Sequence, residues 1–171
     1  MSGTISKSPN MDSGIVGQHS TGQIVQTVYL SSDTEYTQSG VGTTDCSNYA
    51  ISITPHDSKN KILVQACLFL RVTNSITPGD HECQGSAWIR DTTNGSDVSR
   101  IGEILEYNQS FLTIQTTNNF TMGQYVSVPT LSAGAITYSV RLKGVDGNNQ
   151  IAAQTTATKG GYRAILQEIV V

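Results

Sequence analysis

Ala135-Ile136-Thr137-Tyr138-Ser139-Val140-Arg141-Leu142-Lys143 alternates without a fault. Ile136, Tyr138, Val140 and Leu142 fall on one face, and Thr137, Ser139, Arg141 and Lys143 on the other. Side chains of a strand point to opposite faces with period two, so the stretch predicts a strand with one buried and one wet face.

The same period recurs outward from there, and no long helical period replaces it between Gln23 and Val171. Gln23 to Leu30 reads as the first strand, with Ile24, Val28 and Leu30 set against Val25, Thr27 and Tyr29. Asp33 to Asp45 is Thr-, Ser- and Gly-rich and reads as loop or a weak edge strand. Tyr49, Ile51 and Ile53 line one face of a strand that Pro55 ends, because proline offers no ladder donor. His56 to Asn60 is a turn cluster.

Lys61 to Val72 is the longest apolar run. Ile62, Val64, Ala66, Leu68, Leu70 and Val72 make one face, and Leu63, Cys67 and Phe69 make the other nearly apolar too. Both faces are expected to be covered, as in a central strand of a sandwich or one that faces a subunit interface. Thr73 to Glu82 reads as a loop and Cys83 to Asp91 as a strand carrying Trp88 and Ile89. Asn94-Gly95 then marks a tight antiparallel turn. Val98 to Tyr107 fits a strand or a short helical turn equally well. Phe111 to Ile114, Phe120 to Val128, Gln150 to Thr155 and Tyr162 to Val171 complete the strands, with Asp146-Gly147 as a second tight-turn signal. About eight to ten short strands punctuated this way predict an all-β, antiparallel, jelly-roll-like β-sandwich.

Residues 1–22 carry Ser, Gly, Asn and Pro with few apolar anchors. They read either as a floppy leader or as an arm that orders on a neighbouring subunit through Ile5, Pro9, Met11, Ile15 and Val16. The domain plan is therefore an arm over 1–22 and a single sandwich over 23–171. One domain with a real core is what 171 residues allow.

Charged residues are only 13% of the chain and the net charge is −3. With the ten basic residues scattered, nucleic acid is an unexpected partner. No window approaches the roughly 18 apolar residues of a membrane helix, and no signal peptide follows Met1, so synthesis and folding in a cytoplasm are expected. Cys46, Cys67 and Cys83 share no CxxC spacing and read as free buried thiols.

No Gly-x-Ser-x-Gly elbow or phosphate-cradling glycine loop is present. Asp80-His81-Glu82-Cys83 holds residue types that bind zinc, but neighbours on an extended segment point to alternate sides and cannot converge on one ion. Glu103 and Glu106 are the nearest carboxylate pair, and they read as flanking Ile104 and Leu105 on a surface element. His19, His56 and His81 sit in arm, turn and loop. Neither a cofactor nor an enzymatic activity is expected. Tyr36, Tyr107, Tyr125 and Trp88 are candidates for stacking on a sugar, each with the alternative of filling the core or covering an edge.

Several segments, taken in order, resemble a known module. Ser8-Pro9-Asn10-Met11, Gly14-Ile15-Val16-Gly17 and Gly22-Gln23-Ile24-Val25-Gln26 resemble the start of a virion surface module of marine and cyanobacterial tailed phages. Ile51-Ser52-Ile53-Thr54-Pro55 with Lys61-Ile62-Leu63-Val64, then Ala133-Gly134-Ala135-Ile136-Thr137-Tyr138, and finally Leu166-Gln167-Glu168-Ile169 resemble its later strands. The resemblance runs from about Ser6 onward. It implies a homotrimeric β-sandwich: a capsid decoration or cement protein, a knob, or a tail-fibre tip. The partners it implies are other copies of the chain, the major capsid protein or another virion protein, and, for a fibre tip, a host surface glycan. It places the protein in a virion assembled in the bacterial cytoplasm. The acidic Asp80-to-Cys83 segment and the lack of a long stalk depart from the pattern.

Overall fold

The computed structural model describes residues 20–74, 81–108, 115–127, 134–145, 147, 149–153 and 161–171. Ten strands make up nearly all of this: β1 (Ile24–Ser32), β2 (Tyr36–Ser39), β3 (Gly42–Ile53), β4 (Lys61–Asn74), β5 (His81–Asp91), β6 (Ser96–Asn108), β7 (Gln115–Val126), β8 (Ile136–Gly144), β9 (Asn149–Ala153) and β10 (Tyr162–Ile169). The all-β, two-sheet architecture read from the sequence is the one found.

The topology is one long antiparallel ribbon, folded at the Asn94-Gly95 hairpin and then rolled. Pairing runs β5 with β6, β4 with β7, β3 with β8, β2 with β9 and β1 with β10, each pair enclosing the one before it along the chain. Rolling brings β10 and β9 end to end along the edge of β4 opposite β7, and β8 alongside β5. The result is a six-stranded sheet, β1-β10-β4-β9-β2 with β7 on β4, facing the four-stranded sheet β3-β8-β5-β6. This nested order is that of a jelly roll.

The hairpin tip shows why Asn94-Gly95 works there. Gly95 has φ +71, a left-handed conformation that glycine adopts without steric cost. Asp91 accepts from the Asn94 backbone N–H (2.9 Å) and side-chain amide (2.8 Å), so the turn is stapled by its own side chains.

Between the sheets lies one core. Ile136, Tyr138, Val140 and Leu142 of β8 are buried as the alternation predicts. On the face expected to be wet, Lys143 is exposed, Thr137 and Arg141 are half-buried, and Ser139 is buried. Tyr49 stacks on Tyr162 at 4.3 Å, and Tyr36 meets Tyr49 edge-on at 5.0 Å. The Tyr49 hydroxyl donates to the Thr34 carbonyl, so the buried ring keeps its polar tip satisfied. Where β6 and β7 bring the sheets together, glycines allow the approach. A Cβ on Gly123 would meet the Ile101 Cα at 2.6 Å, and one on Gly102 would meet Thr121.

Several expectations need correction or completion. Ile24 does not share the face of Val28 and Leu30, because a bulge between Ile24 and Gln26 shifts the register and leaves Ile24 exposed beside Ile169. Asp33 to Asp45 holds β2 and the start of β3, both Thr/Ser-rich strands that lean on the ladder rather than on apolar burial. Val98 to Tyr107 is strand throughout. Strand β5 begins at His81, so His81 and Glu82, expected in a loop, belong to the ladder, and Asp80 lies outside the described residues. Cys46 is buried, whereas Cys67 is only half-buried on the outer face of β4. Cys83 lies outside the described side chains.

Candidate functional site

Three features stand out beyond the core, and β10 carries the first. Its alternation buries Tyr162, Ala164, Leu166 and Glu168, so a carboxylate ends the core face with no exposed side-chain surface. Glu168 is met there by the turn between β3 and β4. Its two oxygens accept from the His56 backbone N–H (2.8 Å), His56 Nδ1 (2.7 Å), the Asp57 N–H (3.3 Å) and Asn60 Nδ2 (2.7 Å). An ionised carboxylate can only accept, so Nδ1 of His56 carries the proton in this contact. Burial alone pushes the carboxyl up, but the bonds from His56, Asn60 and the two amides outweigh it and hold Glu168 below its ordinary value.

The outer face of the four-stranded sheet is a charge network. Cross-strand register sets Asp45 of β3 opposite Arg141 of β8, and Arg141 opposite Trp88 of β5. Arg141 grips Asp45 with Nε at 2.6 Å and Nη2 at 3.1 Å, and lies 3.6 Å from Asp97. Arg90 lies 3.3 Å from Asp97 and 3.6 Å from Asp45, which closes a ring of alternating charges. The bond from Arg141 holds Asp45 below the usual carboxylate range. Arg100 pairs with Glu103 and lies over the Trp88 ring at 5.9 Å. These charges answer one another on the sheet itself.

The outer face of the six-stranded sheet has a different chemistry. Reading across β1, β10, β4 and β7, one row is Tyr29, Ile165, Gln65 and Gln124. The next is Thr27, Gln167, Leu63 and Val126, and a third is Ser31, Arg163, Cys67 and Met122. Met122 is 70% exposed, and Tyr29 and Val126 are exposed as well. No carboxylate faces outward in these rows. Within these rows the surface is apolar side chains interleaved with amides and hydroxyls, with Arg163 donating to the Tyr29 hydroxyl at 2.7 Å. Lys61 and Arg71 share this face of β4 beyond the rows, Arg71 lying 3.5 Å from Glu35.

The structure places the residues singled out from sequence as follows. Leu63 and Phe69, expected to be covered on the second face of β4, lie half-buried on this outer face, as do Ile165 and Ile169 of β10. The arm residues Ile5, Pro9, Met11, Ile15 and Val16 lie outside the described residues. Of the sugar-stacking candidates, Trp88 donates Nε1–H to Ser86 Oγ at 2.9 Å beneath Arg100. Tyr36 is held by Ser47 Oγ and the Asn48 N–H, and Tyr125 packs against Tyr138. They are scattered and do not form one platform. Tyr107 and Glu106 lie in β6 outside the described side chains. Among the described residues no group of three or more His, Cys, Asp or Glu could hold a metal ion, and no helix is long and apolar enough to cross a membrane. The Cys46 thiol is pushed up to about 12, chiefly by burial, and is inert at neutral pH.

Sequence reasoning missed the Glu168 clamp and the charge ring. A signal existed for the first, since Glu168 continues the buried parity of Ala164 and Leu166. None existed for the second, because the register that joins Asp45, Arg90, Asp97 and Arg141 is not written locally.

Comparison with known proteins leaves the chain without a shown family. No family model matches it, and neither does any curated protein. Solved structures are similar only loosely. A chain from the structure of infectious bursal disease virus, Gx strain, aligns over 98% of this chain and 42% of its own, with 10% identity and a TM-score of 0.36. VP2 of the subviral particle of that virus aligns over 99% and 46%, with 12% identity and a TM-score of 0.20. This chain thus spans less than half the length of those it matches. At such scores the likeness carries no argument about role.

Proposed function

We propose that this protein is a non-enzymatic structural component of a bacteriophage virion, a capsid decoration or cement protein. In this reading it trimerises, and residues 1–22 attach it to the capsid surface. The observation that carries the reading is the contrast between the two outer faces. One is a closed charge network suited to water. The other is an open apolar and amide face of the kind that marks protein contacts. An assembly component needs both. The ordered segments that resemble a phage virion module supply the particular setting. Fold alone supports no function, since jelly rolls also occur in lectins and cupins.

The alternative, a fibre tip that binds a host glycan, has less support. Sugar stacking needs aromatic faces gathered in the open, and Trp88 and Tyr36 are engaged within the chain. Deleting residues 2–22 tests the attachment. The shortened protein should fold and trimerise but lose binding to decoration-free capsids in co-sedimentation. Undiminished binding would refute the role of the arm.

A further inference from the structure

The hairpin between β5 and β6 carries Asn94-Gly95, and no other asparagine in the sequence precedes a glycine. Thr92 to Ser96 are exposed, and a side chain at Gly95 would meet nothing within 4 Å, so water has free access to the pair. Glycine has no Cβ to shield its backbone nitrogen. Once that nitrogen has given its proton to hydroxide, it can attack Cγ of Asn94. The N–Cγ bond forms, the Cγ–Nδ2 bond breaks, and Nδ2 leaves as ammonia with a proton taken from water, which regenerates hydroxide. Water then opens the cyclic imide. Cleavage at Cγ gives aspartate, and cleavage at the main-chain carbonyl gives isoaspartate, whose backbone runs through the side chain. The sum is amide plus water giving carboxylic acid plus ammonia, with nothing oxidised or reduced.

Asp91 opposes each of these steps. It is 6% exposed, and among the described residues both donors to its carboxylate belong to Asn94, the backbone N–H on Oδ1 and Nδ2 on Oδ2. Donation from Nδ2 to a carboxylate pushes electron density into the amide and makes Cγ a poorer electrophile. The two bonds also tie the Asn94 side chain to a residue three positions back, while its attacker lies one position ahead. The adjacent negative charge disfavours both the deprotonated Gly95 nitrogen and the oxyanion that forms on attack. We propose that Asn94 is a latent modification site that Asp91 holds closed, and that its conversion is one-way. Aspartate at position 94 would put a second carboxylate where Nδ2 now sits, 2.8 Å from Asp91. The buried carboxylate of Asp91 would lose one of its two donors and gain a like charge at contact distance, which destabilises the turn. The staple that guarded the tip is then gone.

The test follows the full chain in mildly alkaline buffer at body temperature. Trypsin cuts after Arg90 and Arg100, so the peptide Asp91–Arg100 reports the mass gain of amide-to-acid conversion, and isoaspartate separates from aspartate on elution. Folded wild type should convert roughly tenfold or more slowly than the same chain in urea, since a bond to a charged group must break first. Asp91→Asn keeps an oxygen for the Asn94 N–H but turns an NH2 toward Nδ2, so this variant, while folded, should convert at close to the unfolded rate. Circular dichroism checks its fold; Asp91→Ser, which also lacks the charge, replaces it if it unfolds. Asn94→Asp mimics the product and should lower the melting temperature. Adding Asp91→Asn to it restores a donor opposite the new carboxylate and should recover most of that loss. Equal rates in folded and unfolded wild type, or a folded Asp91 variant as slow as wild type, overturns the guarding role. An Asn94→Asp chain that melts with wild type overturns the one-way step.

Discussion

Replacing Glu168 by alanine should be among the most damaging single changes in this protein. The carboxylate is fully buried, and four donors from residues 56–60 converge on it. A hydrogen bond to a charged group is worth about 1.5–3 kcal/mol. Simple addition overstates the loss, because the turn is exposed and water can reach some of the freed donors. Asn60, however, is buried and would be left unsatisfied. Breaking a buried charged pair costs about 3–5 kcal/mol, which is the better guide. For a chain of this size about 2–4 °C is lost per kcal/mol, so Glu168→Ala should melt roughly 6–20 °C below wild type. Glu168→Gln separates charge from shape. Its amide oxygen can still accept from the three donors that reach Oε1, while its NH2 faces His56 Nδ1, so its loss should be smaller. Urea denaturation, read by tyrosine and tryptophan fluorescence, gives the free energies directly. An alanine variant within 1 kcal/mol of wild type would show that water replaces the clamp, and the reasoning would fail.

Acid should act through the same group. Folding lowers the carboxyl pKa of Glu168 and of Asp45, so the folded chain binds fewer protons than the unfolded one across the ordinary carboxylate range. Their contribution is therefore complete above that range and lost as pH falls through the lowered values. Melting temperature should be level from neutral down to about pH 5 and fall below it; in Glu168→Gln the fall should be shallower, and an equally steep fall would acquit Glu168. Gly123→Ala should cost about 1–3 kcal/mol in denaturant titrations, since its Cβ would meet the Ile101 backbone rather than a yielding side chain. A neutral outcome would mean that β6 and β7 can part without penalty.

What could be read from sequence was whatever depends on local period. The core face of β8, the core parity of Tyr49, Ile51 and Ile53, the hairpin at Asn94-Gly95 and the central place of β4 in its sheet follow from which residue types alternate. The Ile24 bulge could not be foreseen, because an inserted residue changes parity without changing composition. β2 was faint for a related reason: Tyr36–Ser39 is short and polar, and it exists because β9 offers a ladder. The outer-face rows depend on register between strands far apart in the chain. Leu63 looked like a covered residue from its neighbours alone; only the pairing of β4 with β7 and β10 shows it in an open field with Val126 and Gln167.

Imaging purified virions with an antibody against the sandwich tests most directly whether this is a particle-surface protein. Many copies distributed regularly over the head are predicted. Particles that carry no label, prepared from a lysate in which the protein is abundant, would contradict it.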